Sequence, residues 1–310
     1  MTGPAVLAES ITRRFGGVTA LDQLTFEVQP GELFGFVGPD GGGKTTLFRI
    51  LVTLLLPDRG RASVLGLDVV RDLWQIRQKV GYMPGRFSLY PDLSVAENLE
   101  FFASVFGTTV AAGMRTISPI YDQLAPFTGR RAGALSGGMK QKLALSCALV
   151  HHPEILFLDE PTTGVDAVSR REFWDLLAAL RAGGLTIVVS TPYMDEAIRC
   201  DRVALMQRGR LLGVDVPGDI ARSFEGDVFE VDSPHRYRTL LALRRYEHAG
   251  SVHLFGEFLH YTDRRDAPGE RIVADVAAYL RNAGLAAEVR RAVPTIEDTF
   301  IQRMGAPEAA

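Results

Sequence analysis

Cysteine and histidine are both scarce in the 310-residue sequence. The two cysteines, Cys147 and Cys200, each lie inside an apolar or helical pattern, so a disulfide framework is not expected and a reducing compartment is favoured. The six histidines lack the spacing of metal ligands. The sequence therefore predicts neither a disulfide-stabilised secreted domain nor a zinc site.

Long apolar runs are also missing. No window reaches the ~18 uninterrupted apolar residues that a membrane-spanning helix requires. The amino terminus, MTGPAVLAES, lacks the basic start and apolar stretch of a secretion signal. We expect the chain itself to be soluble.

Charge of one sign is not concentrated in any part of the chain. The net charge is −3, and the arginine pairs are scattered along the sequence rather than gathered in one basic tract. This distribution argues against a nucleic-acid partner. Lysine is rare, and three of the four lysines, Lys44, Lys140 and Lys142, lie in the motifs described next.

Glycine is concentrated in the stretch VGPDGGGKTTL at 37–47, directly after the apolar run 33–37. Residues 38–45 fit G-x-x-x-x-G-K-[ST] between a predicted strand and a predicted helix at 45–55. Backbone N–H groups of such a loop converge on phosphate oxygens, Lys44 reaches the β- and γ-phosphates, and the Thr45 hydroxyl can bind Mg²⁺. The predicted ligand is a nucleoside triphosphate. Its predicted binding residues are Gly38, Pro39, Asp40, Gly41, Gly42, Gly43, Lys44, Thr45 and Thr46.

Two acids, Asp159 and Glu160, follow the continuous apolar run 155–158, which is typical of a parallel strand buried on both faces. At the end of such a strand, Asp159 can hold Mg²⁺ and Glu160 can orient and deprotonate an attacking water. The sequence therefore predicts hydrolysis as well as binding of the triphosphate.

A second glycine pair precedes a predicted helix in the stretch LSGGMKQ at 135–141. Its helix N-terminus is also suited to an anion, but one nucleotide seldom needs two such sites from the same molecule. Head-to-tail pairing of two chains would use both.

The order of these motifs, together with FLDEP at 157–161 and TGVD at 163–166, resembles the nucleotide-binding subunit of an ATP-binding cassette (ABC) transporter over roughly residues 5–215. The resemblance implies an α/β P-loop core with a helical subdomain at about 85–150. It also implies a dimer that encloses two ATP molecules. Each ATP would be held by the 38–46 loop of one subunit and by Ser136, Gly137 and Gly138 of the other.

The resemblance also implies roles for single residues. Phe15 stands where the family keeps an aromatic side chain that stacks on adenine, Glu160 matches the general base, and Asp166 matches an acid that communicates across the dimer. Lys44 and these two acids are the implied catalytic residues, and Thr45 and Asp159 the implied Mg²⁺ ligands.

Three further features are similar to the type-2 exporters of the drug-resistance group: the Gly-Met ending of the signature, YMDEA at 193–197 and the tail at 294–300. This narrower resemblance implies a multi-span transmembrane permease as partner. It implies a second nucleotide-binding subunit as well, with a homodimer favoured. The chain would lie peripherally on the cytoplasmic face of a bacterial inner membrane.

Two positions depart from the family pattern. Gly85 stands where the family usually has a glutamine, and Pro192 where it usually has a histidine that contacts the γ-phosphate. Losing one preorganised donor typically slows such a reaction ~10²- to 10³-fold. We favour a working site in which Ser190, Thr191 or Arg86 supplies the missing contact.

Aromatic and apolar residues follow Gly85. The family receives a membrane-partner helix in this region, and we expect Phe87, Leu89 and Tyr90 to form the docking surface. Leu99 and Phe102 are assigned to the core of the helical subdomain.

Further helices are predicted at 94–106, where a capping box begins, and at 117–126, 139–150 and 168–182.

The order of predicted strands and helices changes after the turn at 216–219. Strands and helices in the order βαββαβ predict a small C-terminal α+β domain of ferredoxin-like type, so the predicted domains are 1–220 and an accessory or regulatory domain at 226–310.

Two other functions stay open: a regulatory subunit with impaired catalysis and a soluble ABC ATPase outside transport. A GTP switch is disfavoured because no N-K-x-D motif follows the loop.

Overall fold

The computed structural model describes residues 3–85 and 88–305. The chain divides into two compact units, with the boundary between Gly218 and Asp219. Each unit has its own cluster of buried apolar side chains. Within the described ranges, no helix is both long enough and apolar enough to cross a membrane.

The first unit contains ten strands and seven helices within the described residues, besides the helix at its boundary and two 3₁₀ turns. Its strands are β1 (Val6–Phe15), β2 (Val18–Val28), β3 (Leu33–Val37), β4 (Arg59–Val64), β5 (Leu67–Asp68), β6 (Val80–Met83), β7 (Ile155–Asp159), β8 (Thr186–Thr191), β9 (Arg202–Gln207) and β10 (Arg210–Asp215). Its helices are α1 (Lys44–Leu51), α2 (Leu73–Lys79), α3 (Val95–Val105), α4 (Val110–Tyr121), α5 (Gly137–Leu149), α6 (Ala167–Ala182) and α7 (Met194–Ala197). Helix α8 (Pro217–Arg222) crosses the boundary.

The central sheet of this unit has the strand order β10-β9-β3-β8-β7-β6. Its strands pair in parallel except β10, which pairs antiparallel with β9. Every residue of β3, β7 and β8 is buried, which is why these strands read as continuous apolar or β-branched runs. Because parallel strands end at the same edge, the segments after β3, β7 and β8 meet there. The predicted α/β P-loop core is confirmed.

A second, antiparallel sheet of order β2-β1-β4-β5 packs on the central one through a chain of aromatic rings. The ring centroids are 4.9 Å apart for Phe26 and Phe36, 5.9 Å for Phe36 and Phe48, and 5.7 Å for Phe48 and Phe157. Each such contact contributes about 1 kcal/mol beyond burial. Since Phe48 belongs to α1, the chain of rings fixes the helix that begins at Lys44.

Helices α3, α4 and α5 form the helical part of the unit. The predicted capping box is confirmed, because the backbone N–H of Glu97 donates to the Ser94 hydroxyl and Glu97 accepts the Ser94 N–H. The predicted helix at 117–126 is wrong in its bounds. Thr109 caps α4 by accepting the Ala112 N–H at 3.1 Å, and the helix ends at Tyr121, two residues after Pro119. A 3₁₀ turn follows at Ala125–Phe127.

The second unit contains the predicted βαββαβ order. Its elements are β11 (Val228–Asp232), α9 (Arg236–Leu243), β12 (Ala249–Phe255), β13 (Phe258–Asp263), α10 (Gly269–Asn282), β14 (Glu288–Ala292) and α11 (Ile296–Gly305). The sheet is antiparallel with order β12-β13-β11-β14, so the first and last strands are neighbours. Helices α9 and α10 contribute to the core on one face.

Helix α11 was not predicted, although its start carries a local signal. The Thr295 hydroxyl accepts the Asp298 N–H at 3.3 Å and the Asp298 carboxylate accepts the Thr295 N–H at 2.7 Å, which is the reciprocal pattern of a capping box. Asp298 also pairs with the buried ring of His260 at 2.8 Å. The hydrogen bonds of Asp298 therefore hold α11 to β13.

His151, two residues beyond α5, is half-buried and stacks on the ring of Phe106 with 3.7 Å between the centroids. Its Nε2 lies 3.2 Å from the carbonyl oxygen of Val80. Burial lowers the pKa of His151 from 6.5 to about 4. The neutral ring therefore stabilises the fold above pH 6.5, and this contribution is lost as the pH falls towards 4, because the unfolded chain binds the proton first.

We expect acid to destabilise the native protein more than a His151→Phe variant, which keeps a ring beside Phe106. Between about pH 7 and about pH 4.5 the free energy of unfolding of the native protein should fall by about 2 kcal/mol more than that of the variant, after allowance for partial exposure. Urea unfolding at both pH values measures this difference. Equal losses in the two proteins would contradict a His151 ring that the fold keeps neutral.

Candidate functional site

The glycine loop that joins β3 to α1 is packed against its neighbours without room for side chains. Gly43 has a φ of 104°, which L side chains rarely adopt, and a Cβ there would lie 2.5 Å from the carbonyl oxygen of Ala20. A Cβ at Gly38 would lie 1.9 Å from the carbonyl oxygen of Met206. Glycine is therefore required at both ends of the loop because the backbones of β2 and β9 are in contact with it.

Backbone hydrogen bonds hold the same loop from two sides. The Gly38 N–H donates to the Thr191 carbonyl at 3.2 Å, at the end of β8. The Gly209 N–H donates to the Gly42 carbonyl at 2.9 Å, and the Asp22 N–H donates in turn to the Gly209 carbonyl at 2.8 Å. The position of the loop is thus set by the end of β8 and by the turn between β9 and β10, which is itself bonded to β2.

The Lys44 ammonium lies inside the curve of the loop. The residue is 3% exposed, and its Nζ donates to the Gly38 carbonyl at 2.7 Å and to the Pro39 carbonyl at 3.0 Å. Its Nζ is also 3.3 Å from Oε1 of Glu160. A buried cation held by neutral carbonyls can exchange them for phosphate oxygens at a gain in charge pairing.

A cavity of about 330 Å³ opens beside this loop. Its lining residues are Val18, Thr19, Ala20, Gly41, Gly42, Gly43, Lys44, Thr45, Thr46, Glu160 and Arg208. Six of the predicted phosphate-binding residues and Glu160 are therefore brought together. Sequence reasoning missed Val18, Thr19, Ala20 and Arg208, which come from the start of β2 and from the turn between β9 and β10.

The remaining predicted residues of the loop region lie outside the cavity lining. Asp40 is exposed, while Gly38 and Pro39 contribute through their carbonyl contacts with Lys44. Phe15 ends β1 and is 47% exposed, and the guanidinium carbon of Arg13 lies 4.8 Å from its ring centroid. Phe15 therefore already presents its ring to one cation at the surface.

A serine on β8 orients the two acids that end β7. Its hydroxyl, Ser190 Oγ, donates to Oδ1 of Asp159 at 2.6 Å and accepts the Glu160 N–H at 3.0 Å, and Ser190 and Asp159 are both buried. Glu160 has a φ of 51°, an uncommon value for a side chain other than Asn or Asp. Ser190 holds the backbone at this strained residue, so it is a positioning residue for both carboxylates.

The backbone is closely packed at Gly85, and the residue before Pro192 is hydrogen-bonded within the protein. The backbone at Gly85 passes so close to β7 that a Cβ there would lie 2.9 Å from the carbonyl oxygen of Asp159. Beside Pro192, the Thr191 hydroxyl donates to the buried Glu196 carboxylate and accepts the Tyr193 N–H at 3.0 Å. A side chain longer than glycine at 85 requires the backbone there to shift.

These contacts bear on the residues expected to supply the missing polar contact. The hydroxyl of Ser190 is engaged with Asp159 and Glu160, and that of Thr191 with Glu196. Neither hydroxyl is therefore placed to replace a γ-phosphate donor without giving up a buried bond. Arg86 lies outside the described residues.

The glycine pair of the second motif begins α5 but does not line the cavity of the glycine loop. Ser136 caps α5, since its hydroxyl accepts the Met139 N–H at 3.3 Å. A Cβ at Gly138 would lie 2.5 Å from Oγ of Ser169, and one at Gly137 would lie 3.8 Å from the carbonyl oxygen of Gly164. This turn is packed against the segment that starts α6.

Asp166 caps α6 in this same segment. Its carboxylate accepts the N–H groups of Ser169 at 3.0 Å and Val168 at 3.1 Å. The hydrogen bonds from Ser169 hold the pKa of Asp166 below its ordinary value. The structure therefore gives Asp166 a helix-capping contact, next to the glycine pair of the second motif.

Oxygen donors suited to Mg²⁺ are present at the strand edge. Among the described residues there is no group of three or more His, Cys, Asp or Glu side chains that could hold a metal by itself. Mg²⁺ is usually held by one or two protein oxygens together with phosphates and water. The hydroxyl of Thr45 and the second carboxylate oxygen of Asp159 fit that pattern.

The residues expected to dock a membrane partner differ in exposure. Leu89 is 5% exposed and so cannot form a surface, because it is buried in the helical region. Tyr90 is 47% exposed, and Phe87 lies outside the described residues. Leu99 is buried as expected, whereas Phe102 is partly buried and lines a cavity of about 760 Å³.

The chain is similar to known ABC transporter proteins. The sequence profile of the family described as "ABC transporter" matches residues 21–163. The chain is 37% identical to the probable multidrug ABC transporter ATP-binding protein YbhF of Escherichia coli K12, over 98% of the chain but 53% of YbhF. It is 35% identical to the Nod factor export ATP-binding protein I of Burkholderia pseudomallei, over 96% of each protein.

Solved structures share the fold of the first unit. One is an ATP-binding subunit of an ABC transporter, with a TM-score of 0.64, 26% identity and coverage of 71% of this chain and 93% of that one. Another is a dimeric cassette in a post-hydrolysis state bound to ADP and Pi, with a TM-score of 0.61, 26% identity and coverage of 68% and 98%. The chain spans about half the length of YbhF, whose further half has no counterpart in the match.

The contacts of Ser190 predict a specific loss on mutation. In Ser190→Ala, the buried Asp159 carboxylate loses its serine donor and the Glu160 N–H keeps only the Ser190 carbonyl at 3.0 Å, so we expect kcat for ATP to fall about tenfold with little change in KM. Steady-state phosphate release measures both constants. Ser190→Thr keeps the hydroxyl and should restore most of the rate. An unchanged kcat in Ser190→Ala would contradict the positioning role.

Proposed function

Because this chain belongs to the ATP-binding proteins of ABC transporters, we propose that it binds and hydrolyses ATP to power export of a small molecule across a membrane. The observation that carries this proposal is the buried Lys44 ammonium inside the glycine loop, 3.3 Å from Glu160. The names of two relatives, one multidrug and one for Nod factor export, favour export over import.

ATP binding would use the chain's own backbone and one lysine. The loop 38–43 presents N–H groups at the start of α1, where the helix dipole adds partial positive charge. Lys44 would leave the carbonyls of Gly38 and Pro39 for the β- and γ-phosphates. Thr45 and Asp159 would hold Mg²⁺, which neutralises charge on the phosphate oxygens when bound.

Hydrolysis would use Glu160 as the general base. The water oxygen forms a bond to the γ-phosphorus while the bond from that phosphorus to the bridging oxygen of ADP breaks, and Glu160 accepts the water proton. Ser190 fixes the Glu160 backbone through the bond at 3.0 Å. Lys44 remains beside the reacting phosphate and stabilises the negative charge.

A second nucleotide-binding subunit would complete each site. Ser136, Gly137 and Gly138 lie outside the lining of the 330 Å³ cavity of their own chain, which supports their use on the nucleotide of a partner. Asp166 caps the helix beside them and would relay the state of that partner. We propose a homodimer, with Phe15 stacking on adenine at the edge of each site. A related cassette is known as a dimer bound to ADP and Pi.

A multi-span permease is the proposed membrane partner. The cavity of about 760 Å³ is lined mainly by apolar and aromatic side chains, including Trp74, which is 72% exposed, and Phe106. Such an exposed aromatic cleft fits an amphipathic helix of another protein. The chain would then lie peripherally on the cytoplasmic face of the bacterial inner membrane.

A second candidate is a nucleotide-binding regulatory subunit with impaired catalysis. It is favoured by Gly85 and Pro192, since neither provides a side-chain donor, and by the engagement of the Thr191 hydroxyl with Glu196. The retained Glu160 and Lys44, in contact with each other, favour hydrolysis instead.

Neutralising the base separates the two candidates. We expect Glu160→Gln to lower the ATPase rate of the assembled transporter by about 10²-fold or more, since a general base contributes that much. The same variant should accumulate a dimer in MgATP, which light scattering detects. Glu100→Gln, a change at an exposed acid of α3, is the matched control and should retain both rate and association behaviour. Equal ATPase rates for the native protein and Glu160→Gln would leave the regulatory subunit as the answer.

A further inference from the structure

An arginine occupies an unfavourable position in the turn that joins β9 to β10. The paired strand residues are Gln207 and Arg210, so Arg208 and Gly209 form a two-residue hairpin turn. Both have positive φ, 47° and 77°. Turns of this kind prefer Asn or Gly at their first position, and a larger side chain there costs about 1 kcal/mol. The arginine therefore opposes local stability, which points to another use for its side chain.

The turn is fixed directly on the glycine loop. The Gly209 N–H donates to the Gly42 carbonyl at 2.9 Å, and a Cβ at Gly209 would lie 2.5 Å from the carbonyl oxygen of Ala20. Arg208 lines the cavity of about 330 Å³ together with Lys44. The backbone from which the guanidinium extends is thus held beside the phosphate-binding loop without any ligand.

The charged residues around this cavity are compatible with a second cation that binds the anionic nucleotide. Its charged lining residues are Lys44, Glu160 and Arg208, and the Lys44 ammonium is already 3.3 Å from the Glu160 carboxylate. A nucleoside triphosphate is a polyanion even with its metal. Gly85 and Pro192, which follow β6 and β8, have no side-chain donor.

We propose that Arg208 binds the phosphate chain of the nucleotide as a second cation beside Lys44. A guanidinium offers several N–H donors in a planar fork that matches phosphate oxygens, and it stays charged at every physiological pH. The inference rests on the proposed function, since it requires that the cavity bind a nucleotide. It adds a phosphate-binding residue that lies outside the sequence motifs of the site.

The substitution Arg208→Asn tests the proposal without harming the fold, because Asn is preferred in this turn. We expect the variant to unfold at the same temperature as the native chain or a higher one. Its affinity for Mg-AMPPNP should fall about tenfold, the value of one charge-assisted contact at a partly exposed site. Isothermal titration calorimetry on the full chain measures the affinity and thermal unfolding measures the stability.

Inorganic tripolyphosphate distinguishes a phosphate contact from a base contact. If Arg208 binds phosphates, Arg208→Asn should weaken Mg-tripolyphosphate by the same factor as Mg-AMPPNP. A loss confined to AMPPNP would show that the side chain contacts the base or ribose, and would overturn the proposal. An unchanged affinity for both ligands would overturn it as well.

Two further variants complete the test. Arg210→Gln removes the same charge two residues along the hairpin, at a side chain that donates to Asp22 at 2.8 Å and lies outside the cavity lining, and it should bind AMPPNP as the native chain does. Lys44→Ala should abolish binding. A native chain that does not bind AMPPNP would refute the proposed function together with this inference. Binding that is lost in Lys44→Ala but unchanged in Arg208→Asn would refute only the role of Arg208.

Discussion

The close approach of the glycine loop to the ends of β2 and β9 is the contact on which the rest of the site depends. At Gly38 and Gly43 the neighbouring carbonyls stand where a Cβ would be, so any side chain would push the loop out of place. With the loop held there, α1 begins at Lys44 and its ammonium lies buried beside Glu160. A phosphate-binding geometry then exists before any ligand arrives, which is the preorganisation that binding and charge stabilisation both need.

The acids at the end of β7 show how the neighbouring strand contributes to chemistry. Asp159 and Glu160 are adjacent in sequence, and both are hydrogen-bonded to Ser190 across the sheet: Asp159 through the hydroxyl, and Glu160 through the hydroxyl and the backbone carbonyl. At the next position, the Thr191 hydroxyl donates to the buried Glu196 carboxylate. The site therefore keeps its cation and base while the last residue of β8 is committed to an internal contact.

Prediction from sequence succeeded where the signal is local. The parallel strands, the capping box at Ser94 and the βαββαβ order of the C-terminal unit are visible because each is a pattern of contiguous residues. It failed at the bounds of α4, which contains Gly113 and Pro119, residues that usually mark loops, and at α11, whose capping pair Thr295 and Asp298 was not used. Leu89 was misjudged because an apolar residue in a loop gives no sign of which side will be covered.

By itself, the sequence determined the identity of the phosphate loop, the pair of acids and the second glycine motif, since the chemistry of each resides in a few adjacent residues. The tertiary structure alone decided that the Ser190 hydroxyl contacts both acids, that residues 18–20 line the cavity, and that Arg208 lines the same cavity as Lys44. These relations join segments separated by most of the unit. They depend on strand order and register, which are set by packing over the whole sheet and not by any local pattern.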